Sequence, residues 1–130
     1  MIDIEPLIQA IRARLIVQVP ALGGRVFDRA TEGDETPYAA FDTFYGVAAD
    51  AECIEAEDWT VQIGIYHSMT SKAEVGKIVG QVKAALHGWA DTDALTMHPL
   101  RVTLVRVMDD PDGVSVHGVV QVEAMVESDG

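Results

Sequence analysis

The stretch Trp59-Thr-Val-Gln-Ile-Gly-Ile-Tyr-His-Ser-Met-Thr-Ser-Lys-Ala-Glu-Val-Gly-Lys-Ile-Val-Gly-Gln-Val-Lys-Ala-Ala-Leu86 changes its hydrophobic period halfway along. Trp59, Val61, Ile63 and Ile65 alternate with Thr60, Gln62, Gly64 and Tyr66, the period of a strand with one apolar face. Beyond Ser71 the apolar residues are Val75, Ile78, Val79, Val82 and Leu86, which share one stripe of a helix. Ser71-Lys-Ala-Glu74 has capping-box spacing, and Gly88 closes the segment. A one-faced strand followed at once by a one-striped helix predicts a sheet with a helix lying on it.

The rest of the chain fits that unit. Ile4, Leu7, Ile8, Ile11 and Leu15 repeat the helical spacing, with Asp3 expected as N-cap and Pro6 in the first turn, where its missing N–H costs nothing. Pro20 and Gly23-Gly24 end this helix. Arg25 to Arg29 and Tyr38 to Tyr45 read as strands. Leu100 to Met108 and Val114 to Val126 flank Asp109-Asp110-Pro111-Asp112-Gly113, which is turn chemistry, so they form a long hairpin. Val114, Val116, Val120, Val122, Ala124 and Val126 share one face of its second arm. The expected fold is α+β, a mostly antiparallel sheet with two helices packed on one face and a long C-terminal β-hairpin, in a single domain over residues 1–130. The Ala- and acid-rich stretch Val47 to Asp58 reads as a mobile loop.

Composition narrows the function. The chain has 130 residues, 48% of them hydrophobic, enough for one domain to bury roughly two-thirds of its unfolded surface. The longest charge-free stretch, Trp59 to Ser71, is too short and too polar to cross a membrane. Asp3 and Glu5 stand where a signal peptide carries basic residues, and the one cysteine, Cys53, leaves no internal disulfide. A cytoplasmic protein is the expectation. Nine basic residues against 21 acidic ones give a net charge of −12. Ten acids and one base fall between Asp28 and Asp58, which is −9 from that segment alone. Such a surface repels nucleic acid, unless the acid-rich loops serve only solubility.

Signatures of catalysis are missing. The chain has no Gly-rich phosphate loop, no G-x-S-x-G, no H-E-x-x-H and no C-x-x-C. Asp109, Asp110, Asp112 and Gly113 begin like a calcium loop but lack its spacing and its closing Glu. His67, His87, His98 and His117 are scattered, without partners at ligand spacing. Glu52, Glu55 and Glu57 around Cys53 disfavour a thiolate. No catalytic residue, metal or cofactor is expected, and the chain does not read as an enzyme.

Two features point to assembly. Gly76 and Gly80 lie four apart on a flank of the second helix, where each costs about 1 kcal/mol relative to alanine. They are candidates for a subunit contact, the plainer reading being tolerated surface glycines. The sheet, moreover, has no second set of helices, and Arg101, Thr103, Ser115, Gln121 and Glu123 suggest that part of its other face is wet.

The order of these segments resembles the tail terminator (tail completion, or tail-to-head joining) proteins of long-tailed phages and gene transfer agents. The resemblance spans nearly the whole chain. It rests on the opening helix, the small-residue turn Val19-Pro-Ala-Leu-Gly-Gly-Arg-Val-Phe-Asp28, Thr36-Pro-Tyr-Ala-Ala-Phe41, the strand Trp59 to Tyr66, the Ser71-initiated helix and the closing hairpin. It implies a homohexameric ring in the neck of a virion. Such a ring caps the head-proximal end of the tail tube, ends its polymerisation and joins it to the head-completion (stopper) protein, with DNA passing unbound through the lumen. The subunit would be assembled in the bacterial cytoplasm, without a membrane partner. The acidic loops supply candidate docking or lumen residues: Glu32, Asp34 and Glu35 in one, Asp109, Asp110 and Asp112 in the other. The competing readings are an acidic α+β domain or enzyme for a small ligand, with the histidines, Tyr38, Tyr45 and Tyr66 lining its pocket, and an acidic mimic of DNA.

Overall fold

In the computed structural model, which describes residues 3–30, 35–51, 54–68, 70–90 and 97–127, five strands form one sheet. Helix α1 spans Glu5–Gln18, and a single 3-10 turn, Pro20–Leu22, leads to β1 at Val26–Phe27. Strands β2 (Tyr38–Ala48) and β3 (Ala56–Ser68) precede α2 (Lys72–Leu86), and β4 (Arg101–Asp109) and β5 (Ser115–Glu127) close the chain. The strand order is β1-β2-β3-β5-β4, with β1 parallel to β2 and every other pair antiparallel.

The core lies between the helices and one face of the sheet. Leu7, Ile8, Ile11 and Leu15 of α1 and Val75, Ile78, Val79, Val82 and Leu86 of α2 are buried against Val61, Ile63 and Ile65 of β3 and the even-numbered β5 residues from Val116 to Val126. Each fully buried Leu or Ile contributes about 1.5–3 kcal/mol. Gly118 belongs to the same row: a Cβ there would stand 2.6 Å from Val79 Cγ2, so the missing side chain lets α2 settle on β5. Val114 precedes β5 and is exposed.

Arginines tie the layers together. Arg14 Nε donates to the Ala85 carbonyl at 2.9 Å, and its guanidinium lies 5.1 Å from the Trp89 ring centre, joining α1 to the end of α2. Arg12 Nε donates to the Val26 carbonyl at 2.9 Å and joins α1 to β1.

Three local expectations need correction. The N-cap of α1 is Ile4, whereas Asp3 Oδ1 accepts the Glu5 N–H at 3.0 Å from one residue earlier. Only Val26–Phe27 of the Arg25–Arg29 segment is strand, because the left-handed Gly23 and Gly24 consume its approach. The expected loop from Val47 to Asp58 is shorter than expected, because strand enters it from both sides: β2 runs on to Ala48 and β3 starts at Ala56. Alanine and acid content hid this extension, which is held by the pairs Val47↔Asp58 and Ala48↔Glu57. Ser71 caps α2 as expected, its Oγ accepting the Glu74 N–H at 3.2 Å.

Candidate functional site

The helix-free face of the sheet carries a polar cluster at a break in register. Between β2 and β3 the pairing passes from Phe41↔Ile63 to Thr43↔Gln62, so Asp42 is the extra residue of a bulge. The bulge turns its carboxylate over Gly64, where a Cβ would meet Oδ2 at 2.4 Å. Glycine leaves the space that the carboxylate fills. Tyr66 Oη donates to Asp42 Oδ1 at 2.6 Å, and Gln62 Nε2 lies 3.4 Å from Oδ2. His117 Nε2 also lies 3.4 Å from Oδ2, in ion-pair range but without hydrogen-bond alignment. The His117 ring stacks on Tyr66 at 4.4 Å, Tyr66 stacks on Tyr38 at 5.1 Å, and the Tyr38 hydroxyl donates to the Ala30 carbonyl at 2.5 Å.

Electrostatics lock this cluster. Burial raises the Asp42 carboxyl, but His117, Tyr66 and Gln62 more than offset it and hold it below its ordinary value. Tyr66 moves the opposite way, first through burial and then through its bond to the Asp42 carboxylate. An anion that keeps its charge beside a phenol that keeps its proton makes a brace across β2, β3 and β5, not an acid–base pair poised near neutrality. Of the expected pocket residues, Tyr38, Tyr66 and His117 do converge here. His87 does not: its Nδ1 accepts the Val102 N–H at 3.0 Å. His67 lies beside the Ser68 carbonyl. Among the described residues no three His, Cys, Asp or Glu side chains are grouped to hold a metal.

A second feature is the arm made by the far ends of β2 and β3. Phe44, Tyr45, Val47 and Ile54 are among the large apolar residues left exposed. Trp59 lies across Gly46, packs against Phe44 at 6.2 Å and donates its indole N–H to Glu57 Oε1 at 3.1 Å, which stiffens the arm. At its base an open groove of about 590 Å³ is lined by Tyr45, Thr60, His98, Arg101, Glu123 and Met125, among others. Two of its polar side chains are paired within the subunit, His98 Nε2 with Glu127 Oε1 at 2.9 Å and Arg101 with Glu123.

The acidic tips fall at one end. Glu32 and Asp34 lie outside the described residues, but Glu35 is exposed, 3.8 Å from Arg25 Nη1. Thr36 Oγ1 lies 3.1 Å from Ser68 Oγ, and Ser68 pairs with Ser115 beside the hairpin turn. The loop before β2 and the Asp109–Gly113 turn therefore share one end of the sheet, and the β2–β3 arm occupies the other. Asp109 contacts Lys72 Nζ at 3.4 Å. Asp112 builds the turn, accepting the Val114 and Ser115 N–H groups and the Ser115 hydroxyl at 2.8 Å each. The Ser115 and Val114 amides hold its carboxyl below the ordinary value. Gly76 and Gly80 sit on the side of α2 that runs along β4. A Cβ at Gly80 would meet nothing within 4 Å, and one at Gly76 only Val107 Cγ2 at 4.0 Å.

Sequence reasoning missed Asp42 and Gln62. The signal was present as a single carboxylate inside the apolar run Tyr38 to Tyr45, though only the bulge shows where it points.

Comparison with known proteins gives the architecture its context. A chain of the structure titled "Virion of native gene transfer agent (GTA) particle" has the same fold, with a TM-score of 0.78 and 16% identity over 91% of this chain and 92% of that one. The structure of bacteriophage SPP1 gp17 protein aligns at TM-score 0.50 and 19% identity, over 95% of this chain and 91% of that one. No curated protein matches the sequence. The family model described as Tail completion protein gp17 matches residues 9–127. This chain belongs to that family and is a structural tail completion protein of a phage or gene-transfer-agent virion.

Proposed function

We propose that this chain forms a six-membered ring that caps the head-proximal end of the tail tube and joins it to the head-completion (stopper) protein. DNA passes through the ring without being gripped. Family membership over residues 9–127 is the observation that carries the reading. The two-ended shape of the sheet supports it, because a terminator has to recognise one partner ring on each side. Asp109, Asp110, Asp112 and Glu35 lie at one end and the β2–β3 arm at the other, so tube and stopper would each meet a separate set of loops. The net charge of −12 suits a conduit along which phosphates should slide. Assembly takes place in the bacterial cytoplasm before the tail joins the head.

Removing the chain tests the reading. Particles lacking it should have tubes of uncontrolled length that fail to join heads, and tails of normal length on filled heads would contradict it. Charge reversal at Glu32, Asp34 and Glu35 tests the conduit separately. Rings should still assemble while DNA ejection slows, and normal delivery would assign that charge to solubility or docking.

A further inference from the structure

Both lateral margins of the sheet end in unpaired strand. On one side β1 covers only Ala39 and Ala40 of β2, so Phe41 to Ala48 has no neighbour on its outer edge among the described residues. On the other, β4 is paired only with β5 along Arg101–Asp109. Exposed strand edges are templates for pairing, and proteins that stay monomeric blunt them. Each edge carries a bulge, at Asp42 in β2 and between Val102 and Leu104 in β4, yet both keep large apolar side chains in the open. Tyr45 and Val47 on the first and Leu104 and Val105 on the second are 43–59% exposed.

Charge and direction make these margins complementary. From Thr43 to Asp58 the arm carries five acids and no base. The β4 margin carries Arg101 and Arg106, with Lys72 and Lys83 on the adjoining side of α2. Arg101 and Lys72 have carboxylate partners within the subunit. Arg106 reaches only the Met108 sulfur, and Lys83 has no carboxylate in ion-pair range among the described residues. Because β3 is antiparallel to β2, β5 to β3 and β4 to β5, β4 runs opposite to β2. A rotation about an axis roughly along the strands carries one copy to the next while keeping strand direction. It therefore brings β4 of one copy antiparallel to β2 of the following one.

We propose that successive copies join head to tail, the open edge of the β2 arm pairing with β4 of the next subunit so that one sheet continues around the assembly. This rests on the ring reading above and names its contact. Through the ladder Tyr45↔Thr60↔Glu123↔Arg101 the arm lies level with the Arg101 end of β4, so Asp58 comes to the side of the next copy that carries Lys83, and Phe44, Tyr45 and Val47 cover its apolar edge. Gly76 and Gly80, which the subunit's own packing does not require, leave room for the incoming backbone beside α2. The contact is heterologous, so it closes only as a ring or runs on as a filament.

The test uses particles assembled with Tyr45→Cys and Thr103→Cys together in a Cys53→Ser background, treated with a short bifunctional maleimide, because the ladder Tyr45↔Thr60↔Glu123↔Arg101 brings Tyr45 level with the start of β4. Strands in register across the contact stand about 5 Å apart, within reach of such a linker. The expected result is a ladder of cross-linked products ending at the full ring, with no cross-linking from either single-cysteine variant. Dimers from Thr103→Cys alone would mean that β4 pairs with itself about a two-fold axis, which overturns the proposal. The mass of the untreated neck complex from the same particles separates the possible failures. An intact ring without cross-links overturns this contact and leaves the ring standing; no ring overturns both.

Discussion

The Tyr66 hydroxyl donates to Asp42 Oδ1 across 2.6 Å, linking the middle of the sheet to the bulge in β2. Asp42 is where β2 leaves the core: Tyr38 to Phe41 are buried and Thr43 to Ala48 are exposed. Hydrogen bonds to charged groups are worth about 1.5–3 kcal/mol. Tyr66→Phe should therefore lower the unfolding free energy by about 2 kcal/mol in urea titrations, with the subunit still folded. An unchanged midpoint would mean that Gln62 and His117 already hold the carboxylate.

The same pair sets a pH dependence with opposite signs at the two extremes. The Asp42 carboxyl is held below 3.8, so the folded chain binds fewer protons there than the unfolded chain. Its contribution is present above that value and is lost as pH falls through the lower folded pKa. Tyr66 is raised above 10.0, so its contribution is present below that value and is lost as pH rises beyond it. Thermal midpoints should fall at both extremes, with Asp42→Asn flattening the acid limb and Tyr66→Phe the alkaline one. Asp112 is also depressed, but it is common to all three proteins and cancels in the comparison.

Gly46 and Trp59 give an independent handle on the arm. A Cβ at Gly46 would lie 2.5 Å from Trp59 Cε2, so no side chain fits while the indole stays in place. Gly46→Val in a Trp89→Phe background should displace the indole, red-shift its emission and cost about 1–3 kcal/mol, the usual range for overpacking. Unshifted emission would show that the indole does not rest on Gly46.

The hairpin tip separates docking from folding once Asp112 is left alone. Asp109→Ser with Asp110→Ser removes acid from the tip but keeps the three bonds that shape the turn. Its largest loss is the exposed Lys72–Asp109 pair, worth about 0–1 kcal/mol. The double variant should fold normally yet yield tails that fail to join heads or tubes of uncontrolled length. Fully competent particles would remove the tip from the docking surface.

Periodicity made most of this fold legible. Val61, Ile63 and Ile65 alternate into the core and Val75 to Leu86 stripe α2, because burial on one face leaves a regular imprint. The arm was illegible for the converse reason. Its residues bury little within the subunit, and its acids mimic a solvated loop. The Asp42 cluster was illegible because a bulge changes facing by one residue, and only register shows which strand carries it. The hairpin tip was read correctly as a turn, but not the commitment of Asp112 to building it.

A reconstruction of the neck of the assembled particle tests the central claim most directly. The account predicts six copies of this chain in a closed ring at the head-proximal end of the tail tube, between the last tube ring and the stopper. A dimer at that position, or a neck from which the chain is absent, would contradict it.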